Sequence, residues 1–300
     1  MRGLHHVTLG LSQNMNLFPF CPLCRSVSRR LIHRKGMWAY YSCRSCRIVF
    51  LFPGPAPAEL TSAYQDYLPV QEVAIEQWHR AMEDVIQCSA DWIEKEAGKP
   101  GRLLDVGSGY GFFLDCMNRR GWQAEGLEIS EFGRAFTRKR FPGIVLHEQP
   151  LSQCALPDRS YDVVTLFYVI EHLPDPVGLL KEVGRILKPG GLVLLRWPHS
   201  TPIVRLLGPL ARGLDLYHTP YHLFDYTRSF LERTLQEEGF FSVRTLVLGK
   251  TRPASFLGKW SSLLMGGLGE FLSQRTKGRW LLPGVSKTTL AKRPYSRVEK

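Results

Sequence analysis

The sequence predicts an α/β chain, with a seven-stranded and largely parallel sheet preceded by a small cysteine-paired segment. Three observations carry that reading. From Arg102 onward, short apolar runs alternate with stretches of helical spacing. A glycine-rich turn, Gly107-Ser108-Gly109-Tyr110-Gly111, follows the first of those runs. Four cysteines fall into two tight pairs, Cys21/Cys24 and Cys43/Cys46, ahead of a Pro-rich break at Pro53-Gly54-Pro55-Ala56-Pro57.

Taken in order, residues 1–17 read as a loose leader, with Met15 as an alternative start. The cysteine segment occupies 18–52, and a linker with a helical cap fills 53–99. There Val73, Ile75, Trp78, Met82, Val85, Ile86, Ala90 and Ile93 recur at helical spacing between Gln71 and Ala97. Gly98 and Pro100 stop that helix. Arg102–Val106 is the first buried strand. Phe112–Arg120 is a helix closed by Gly121, and Trp122–Ile129 is the second strand. Ser130 caps a helix running to about Arg140. Ile144–His147 and Tyr161–Ile170 are the third and fourth strands. Pro176–Leu187 is a helix stopped by Lys188-Pro189-Gly190-Gly191, before a fifth strand at Leu192–Trp197. A helix at Thr227–Glu238 ends on Gly239, and Phe241–Leu248 and Thr288–Lys292 supply the last two strands. The domain so built runs over 100–300, with apolar insertions at 201–222 and 253–285.

Hydrophobic residues make up 44% of the chain and charged residues 22%, enough to bury a core. No run of 18 or more apolar residues occurs, so no spanning helix is expected. No long apolar stretch precedes Cys21, so a secretory signal is not expected and the reading is cytoplasmic. The net charge of +12 is uneven: residues 1–52 carry +8, residues 250–300 carry +9, and residues 53–249 carry −5. Basic ends of this kind suit an anionic partner such as nucleic acid, a phosphorylated substrate or a membrane surface. A solvated surface with no partner is the plainer alternative.

A glycine turn between a strand and a helix lets a ligand approach the backbone, because no Cβ stands in the way, and places it at the positive end of the helix. Glu128, near the end of the second strand, can accept hydrogen bonds from both hydroxyls of a ribose. A dinucleotide fingerprint needs G-x-G-x-x-G. Here the spacing is G-x-G-x-G, and Asp105 just before the turn suits a cationic ligand.

The stretch Leu103–Gly111, together with Glu128, resembles the class I S-adenosylmethionine-dependent methyltransferases, which are Rossmann-like. Three later stretches match as well. Leu156–Val164 resembles that family's run into its fourth strand, Glu171-His172-Leu173-Pro174-Asp175-Pro176 its E-H-L-x-D-P segment, and Leu187–Gly191 the turn before its fifth strand. The resemblance implies that Asp105, Gly107, Ser108, Gly109 and Gly111 hold the methionine half of S-adenosylmethionine. It implies that Glu128 and Ile129 hold the ribose side, and that Leu151 and Phe167 flank the cofactor. The acidic position after the third strand falls on Pro150 here, with Glu148 as a substitute.

Two C-x₂-C pairs separated by 18 residues fit a tetrahedral four-cysteine zinc site that is closed and therefore structural. Redox dithiols are the alternative. The whole N-terminal pattern, with Val49–Pro53 and Tyr64-Gln65-Asp66-Tyr67, resembles the zinc segment of bacterial methyltransferases of sugar and natural-product pathways. Cys88, Cys116 and Cys154 read as ordinary thiols.

Methyl transfer needs positioning and desolvation, with a base only where the acceptor must lose a proton. Glu171 and His172, just past the fourth strand, are candidates, since ligands of open α/β sheets bind beyond the carboxyl ends of the strands; His222 is a further one, because Pro220-Tyr221-His222-Leu223 resembles the methyltransferase family's P-x-H-L segment before its next helix. Packing or loop-closing roles are the alternatives for all three. The apolar stretches Ile203–Leu216 and Phe256–Leu272, beside Arg205, Arg212, Lys250, Arg252 and Lys259, read either as a lid or core, or as interfacial helices on an anionic membrane. Three functions stay open. The first is methylation of a small-molecule, lipid-precursor or glycan acceptor. The second is methylation of RNA held by the ribbon and basic ends, and the third a non-catalytic adaptor. Oligomeric state is not legible.

Overall fold

A computed structural model describes residues 20–56, 59–60, 64, 67–252 and 262–295. The leader expected at 1–17 lies outside the described residues, as do residues 253–261 of the second insertion.

Two sheets organise the chain. The smaller one is built from β1 (Arg29–Lys35), β2 (Trp38–Cys43) and β3 (Val49–Phe52), all antiparallel, and continues through β9 (Phe224–Asp225). Phe50 pairs with Phe224 and Val49 with Asp225, so a segment far downstream completes the cysteine-bearing sheet. The sequence offers no local sign of β9.

The larger sheet has the order β10-β11-β8-β7-β4-β5-β6. Its strands are β4 (Arg102–Val106), β5 (Gln123–Leu127), β6 (Leu146–His147), β7 (Tyr161–Phe167), β8 (Leu187–Trp197), β10 (Phe241–Leu246) and β11 (Lys287–Lys292). β4 to β8 are mutually parallel and β11 runs antiparallel to β8 and β10. Strand β7 reads as a continuous apolar run because helices cover both faces, as parallel sheets require. Chain order reverses between β4 and β7, which opens a crevice at their carboxyl ends.

The helices that frame this sheet follow the sequence pattern closely. α1 (Glu72–Ala97) buries Ile75, Met82, Val85, Ile86, Ala90, Trp92 and Ile93, and Gly98 closes it in the left-handed conformation, its N–H donating to the Glu94 carbonyl. Val73 and Trp78, at the open end of the same face, stay exposed. α2 (Phe112–Arg119) follows the glycine turn. α3 (Glu131–Arg140) is capped as expected, with the Ser130 hydroxyl accepting from the Gly133 amide. α4 (Pro176–Ile186) is capped by Asp175. α5 (Thr201–Leu207) opens the first insertion, α6 (Arg228–Glu237) is capped by Thr227, and α7 (Gly267–Arg275) lies in the second insertion.

Two strands differ from expectation. β7 ends at Phe167 because Tyr168 takes a φ of +56°, which breaks the extended chain and leads into a 3₁₀ turn at Ile170–His172. β8 begins at Leu187, five residues before the expected Leu192. The Gly190 amide donates to the Arg293 carbonyl at 3.0 Å and the Arg293 amide to the Gly191 carbonyl at 2.8 Å, so the turn residues are drawn into the ladder.

Gly111 joins the turn to α2 and faces Thr137 of α3. Its φ is +75°, and a Cβ there would sit 2.5 Å from the Thr137 methyl. Gly111→Ala is therefore expected to destabilise the fold by about 1–3 kcal/mol through left-handed strain and overpacking. A thermal-melting midpoint lowered by several degrees checks this, and an unchanged midpoint refutes it.

Candidate functional site

The three turn glycines have three different reasons to be glycine. Gly107, with φ +73°, would drive a Cβ to 2.5 Å from Val169, and Gly111 meets Thr137 as above. Gly109, with φ +55°, has no atom within 4 Å of where a Cβ would stand. That side of the turn is open, so a ligand can lie against the backbone there. Ser108 is placed in the turn as expected, but its hydroxyl points at Gly126, where a Cβ would come within 2.6 Å of it. Any contact from Ser108 to a ligand therefore comes through its backbone.

Two carboxylates flank the turn. Glu128, buried after β5, accepts from the Gly109 amide and the Ser130 amide, both at 2.7 Å. Desolvation pushes its carboxyl above the usual range, and those two amides work against that shift. Each oxygen retains a second lone pair for a hydroxyl donor. Asp105 is fully buried and accepts the Thr165 hydroxyl at 2.6 Å, a bond that the β4–β7 register creates by setting the two residues opposite each other. Desolvation, with Glu128 nearby, raises its carboxyl to about 7. A buried acid poised this way is stabilised as its anion by a cation in the crevice.

Of the other expected cofactor residues, Ile129 and Phe167 are half-buried at the carboxyl ends of β5 and β7, and Leu151 is buried in a 3₁₀ turn after β6. Glu148 does not face the crevice. It pairs with Arg138 at 2.5 Å and Arg134 at 3.6 Å on the outer side of α3. The cap crosses the turn, where the Pro69 carbonyl accepts the Tyr110 hydroxyl at 2.6 Å and Leu68 packs over Gly133.

The candidates for chemistry come together. Glu171, His172 and His222 are all buried, with a ligand atom of each within 4.8 Å of the others. Burial raises Glu171 to about 8 and lowers His172 to about 4. Nδ1 of His172 lies 3.0 Å from the Tyr221 carbonyl; a carbonyl cannot donate, so Nδ1 carries the hydrogen and Nε2 the lone pair. Tyr64 and Tyr67 pack edge-on against the His172 ring, and His218 stacks on His222 at 4.9 Å. The Tyr168 hydroxyl, which the sequence reading missed, accepts from Arg196 at 2.8 Å. Its positive φ at the end of β7 was the signal that only coordinates reveal.

The four paired cysteines also come together, with Cys21 and Cys46 sulfurs 3.6 Å apart and Cys24 and Cys43 3.5 Å apart. Arg25 and Arg47, each just past a pair, adopt left-handed φ values of +60° and +67° and close matching turns onto Cys21 and Cys43. Tetrahedral zinc with bonds of about 2.3 Å sets its sulfurs about 3.8 Å apart, so the cluster fits such an ion.

A methyltransferase-domain family model matches residues 75–244. The chain belongs to that family. The methyltransferase domain is 33% identical over 163 residues to a protein of Mycolicibacterium smegmatis named a probable S-adenosylmethionine-dependent methyltransferase; the match takes in 54% of this chain and 59% of that one. It is 26% identical to a ubiquinone biosynthesis O-methyltransferase of Pseudomonas paraeruginosa, over 50% of this chain and 67% of the relative. Two solved structures share the fold. Haemonchus contortus phosphoethanolamine N-methyltransferase 2, solved with S-adenosyl-L-methionine, has a TM-score of 0.55 at 18% identity over 82% of this chain and 63% of that one. A chain of the Haloferax volcanii complex between the Trm112 methyltransferase activator and a methyltransferase has a TM-score of 0.53 at 16% identity over 79% of this chain and 98% of that one.

Asp105 supplies a test of the crevice's electrostatics. Its folded value of about 7 lies above its ordinary 3.8, so between those values the unliganded folded state holds a proton that the unfolded state has lost. This group's contribution to wild-type stability is present near pH 4 and lost as pH rises to 7. Asp105→Asn lacks the titration and should gain on wild type over that window by up to about 4 kcal/mol. Urea unfolding of both proteins at pH 5 and pH 8 checks this; parallel behaviour refutes it.

Proposed function

We propose that the chain transfers a methyl group from S-adenosylmethionine to a small-molecule or lipid-linked acceptor presented at an anionic membrane surface. The observation that carries the first half is the cradle at Gly109, open on its outer side, with Asp105 and Glu128 buried on either side of the turn. When bound, S-adenosylmethionine supplies an electrophilic methyl carbon on a positively charged sulfur. Glu128 would hold the ribose hydroxyls, Asp105 favours the cationic end, and Leu68 with Pro69 would exclude water from above. Glu171, His172 and His222 stand at the carboxyl end of β7, where an acceptor would meet the methyl group. In the same reading Cys21, Cys24, Cys43 and Cys46 hold a structural Zn²⁺, which supplies folding energy to a sheet too small for a core of its own.

The membrane half rests on the insertions. Leu206 is 86%, Leu210 77%, Phe271 57% and Trp280 70% exposed, and Leu214, Leu263, Leu264 and Leu268 are exposed beside them. Arg205, Arg275, Lys277 and Arg279 are exposed on the same two segments. An exposed apolar patch rimmed by cations suits an anionic interface. Between the insertions lies a cavity of about 350 Å³ lined by Ile203, Leu206, Met265, Pro283, Val285 and Arg196, sized for part of an apolar acceptor. Relatives named for ubiquinone biosynthesis O-methyltransfer support an organic acceptor of this kind. No helix among the described residues is long and apolar enough to cross a membrane.

Titration calorimetry tests the donor. S-adenosylmethionine should bind, and Glu128→Ala should weaken it at least tenfold, since a hydrogen bond to a charged group contributes about 1.5–3 kcal/mol. No binding, or equal binding by the variant, removes the reading. Vesicle sedimentation tests the surface. Vesicles containing anionic lipid should pull down the chain, purely zwitterionic ones should not, and Leu206→Glu with Leu210→Glu should cut the bound fraction by half or more. Equal partition of wild type and variant refutes the membrane half.

A further inference from the structure

We propose that Glu171, His172 and His222 form a second metal site, separate from the four cysteines, for a divalent first-row transition cation. The site is built from two imidazoles and one carboxylate brought together from segments 50 residues apart. Glu171 is fully buried, and among the described residues neither of its carboxylate oxygens meets a hydrogen-bonding partner on another residue. A buried carboxylate left in that state is rare, because its desolvation is uncompensated. The rings of His172 and His222 stand beside it, with a ligand atom of each of the three within 4.8 Å of the others. Bonds of about 2.1 Å to nitrogen and oxygen set neighbouring ligands about 3–3.5 Å apart, so an ion would draw the three ligand atoms closer together.

The supporting shell is already in place. The His172 Nδ1–H donates to the Tyr221 carbonyl, which leaves Nε2 as the nitrogen with a lone pair for a cation; metal-ligating histidines are oriented by such a bond. The backbone of each ligand is tied down as well. The Leu223 amide donates to the Glu171 carbonyl at 2.9 Å, the Tyr40 hydroxyl to the His222 carbonyl at 3.0 Å, and the Tyr64 hydroxyl to the His172 carbonyl at 2.8 Å. Tyr67, partly exposed, packs edge-on against the His172 ring. Two imidazoles and one carboxylate suit borderline cations such as Mn²⁺, Fe²⁺, Co²⁺ or Zn²⁺ rather than Mg²⁺ or Ca²⁺. Three protein ligands leave coordination positions open for water or an acceptor oxygen. The site's placement beside an acceptor rests on the methyl-transfer reading; cation binding does not.

The test uses the full chain, loaded with one equivalent of zinc at its thiolates and titrated with Co²⁺ alone. One further equivalent should bind, with weak visible ligand-field bands and no sulfur-to-metal charge-transfer band. Glu171→Gln and His222→Ala should each weaken that uptake at least tenfold while keeping the wild-type circular dichroism. Absence of a second equivalent in wild type, a second equivalent showing sulfur charge transfer, or unchanged uptake by folded variants overturns the proposal. Should a variant fail to fold, the wild-type titration decides alone. Calorimetry with S-adenosylmethionine on the same sample separates the two readings. Cobalt uptake without nucleoside binding removes methyl transfer and leaves the metal site, and the reverse outcome removes the metal site only.

Discussion

Three carboxylates sit out of water along the carboxyl edge of one parallel sheet, and the surrounding structure is arranged around holding them there. Asp105 lies near the end of β4, Glu128 just after β5 and Glu171 just after β7, so strand order places them side by side. Each is handled differently. Glu128 takes two backbone amides, Asp105 takes one hydroxyl from the facing strand, and Glu171 takes nothing from another residue among those described. The graded supply of partners separates a group held ready for hydroxyl donors from one that favours a cation and one that lacks compensation altogether.

Much of this was readable in the amino-acid order because it depends on local constraints. Gly107, Gly109 and Gly111 announce a turn that only glycine tolerates, and their φ values of +73°, +55° and +75° are the reason. Glu128 was placed by counting one strand on, and the cysteine pairs by their spacing. What escaped was non-local. β9 is two residues long and takes its strand character from β3, not from its own side chains. The early start of β8 depends on Arg293, a hundred residues away, as its hydrogen-bonding partner. The apolar spacing of 201–222 could not distinguish a buried face from an exposed one, since both use the same period. Leu206 and Leu210 proved exposed while their near neighbours Val204 and Ala211 are buried.

Arg196 joins distant segments without any pattern visible in the sequence. It is fully buried at the end of β8, donating to the Tyr168 hydroxyl and to the carbonyls of Leu248 and Gly249. One guanidinium thus joins the strained end of β7 to the segment that enters the second insertion, and it lines the apolar cavity as well. Buried arginines of this kind satisfy several carbonyls at once through a planar fork.

The pairing of β3 with β9 has a wider consequence. The Leu51 amide donates to the Leu223 carbonyl and the Leu223 amide to the Glu171 carbonyl, while the Tyr40 hydroxyl of β2 donates to the His222 carbonyl, so two links join the cysteine-bearing sheet to the buried triad. The N-terminal sheet therefore cannot be repositioned without moving the backbone that carries Glu171 and His222.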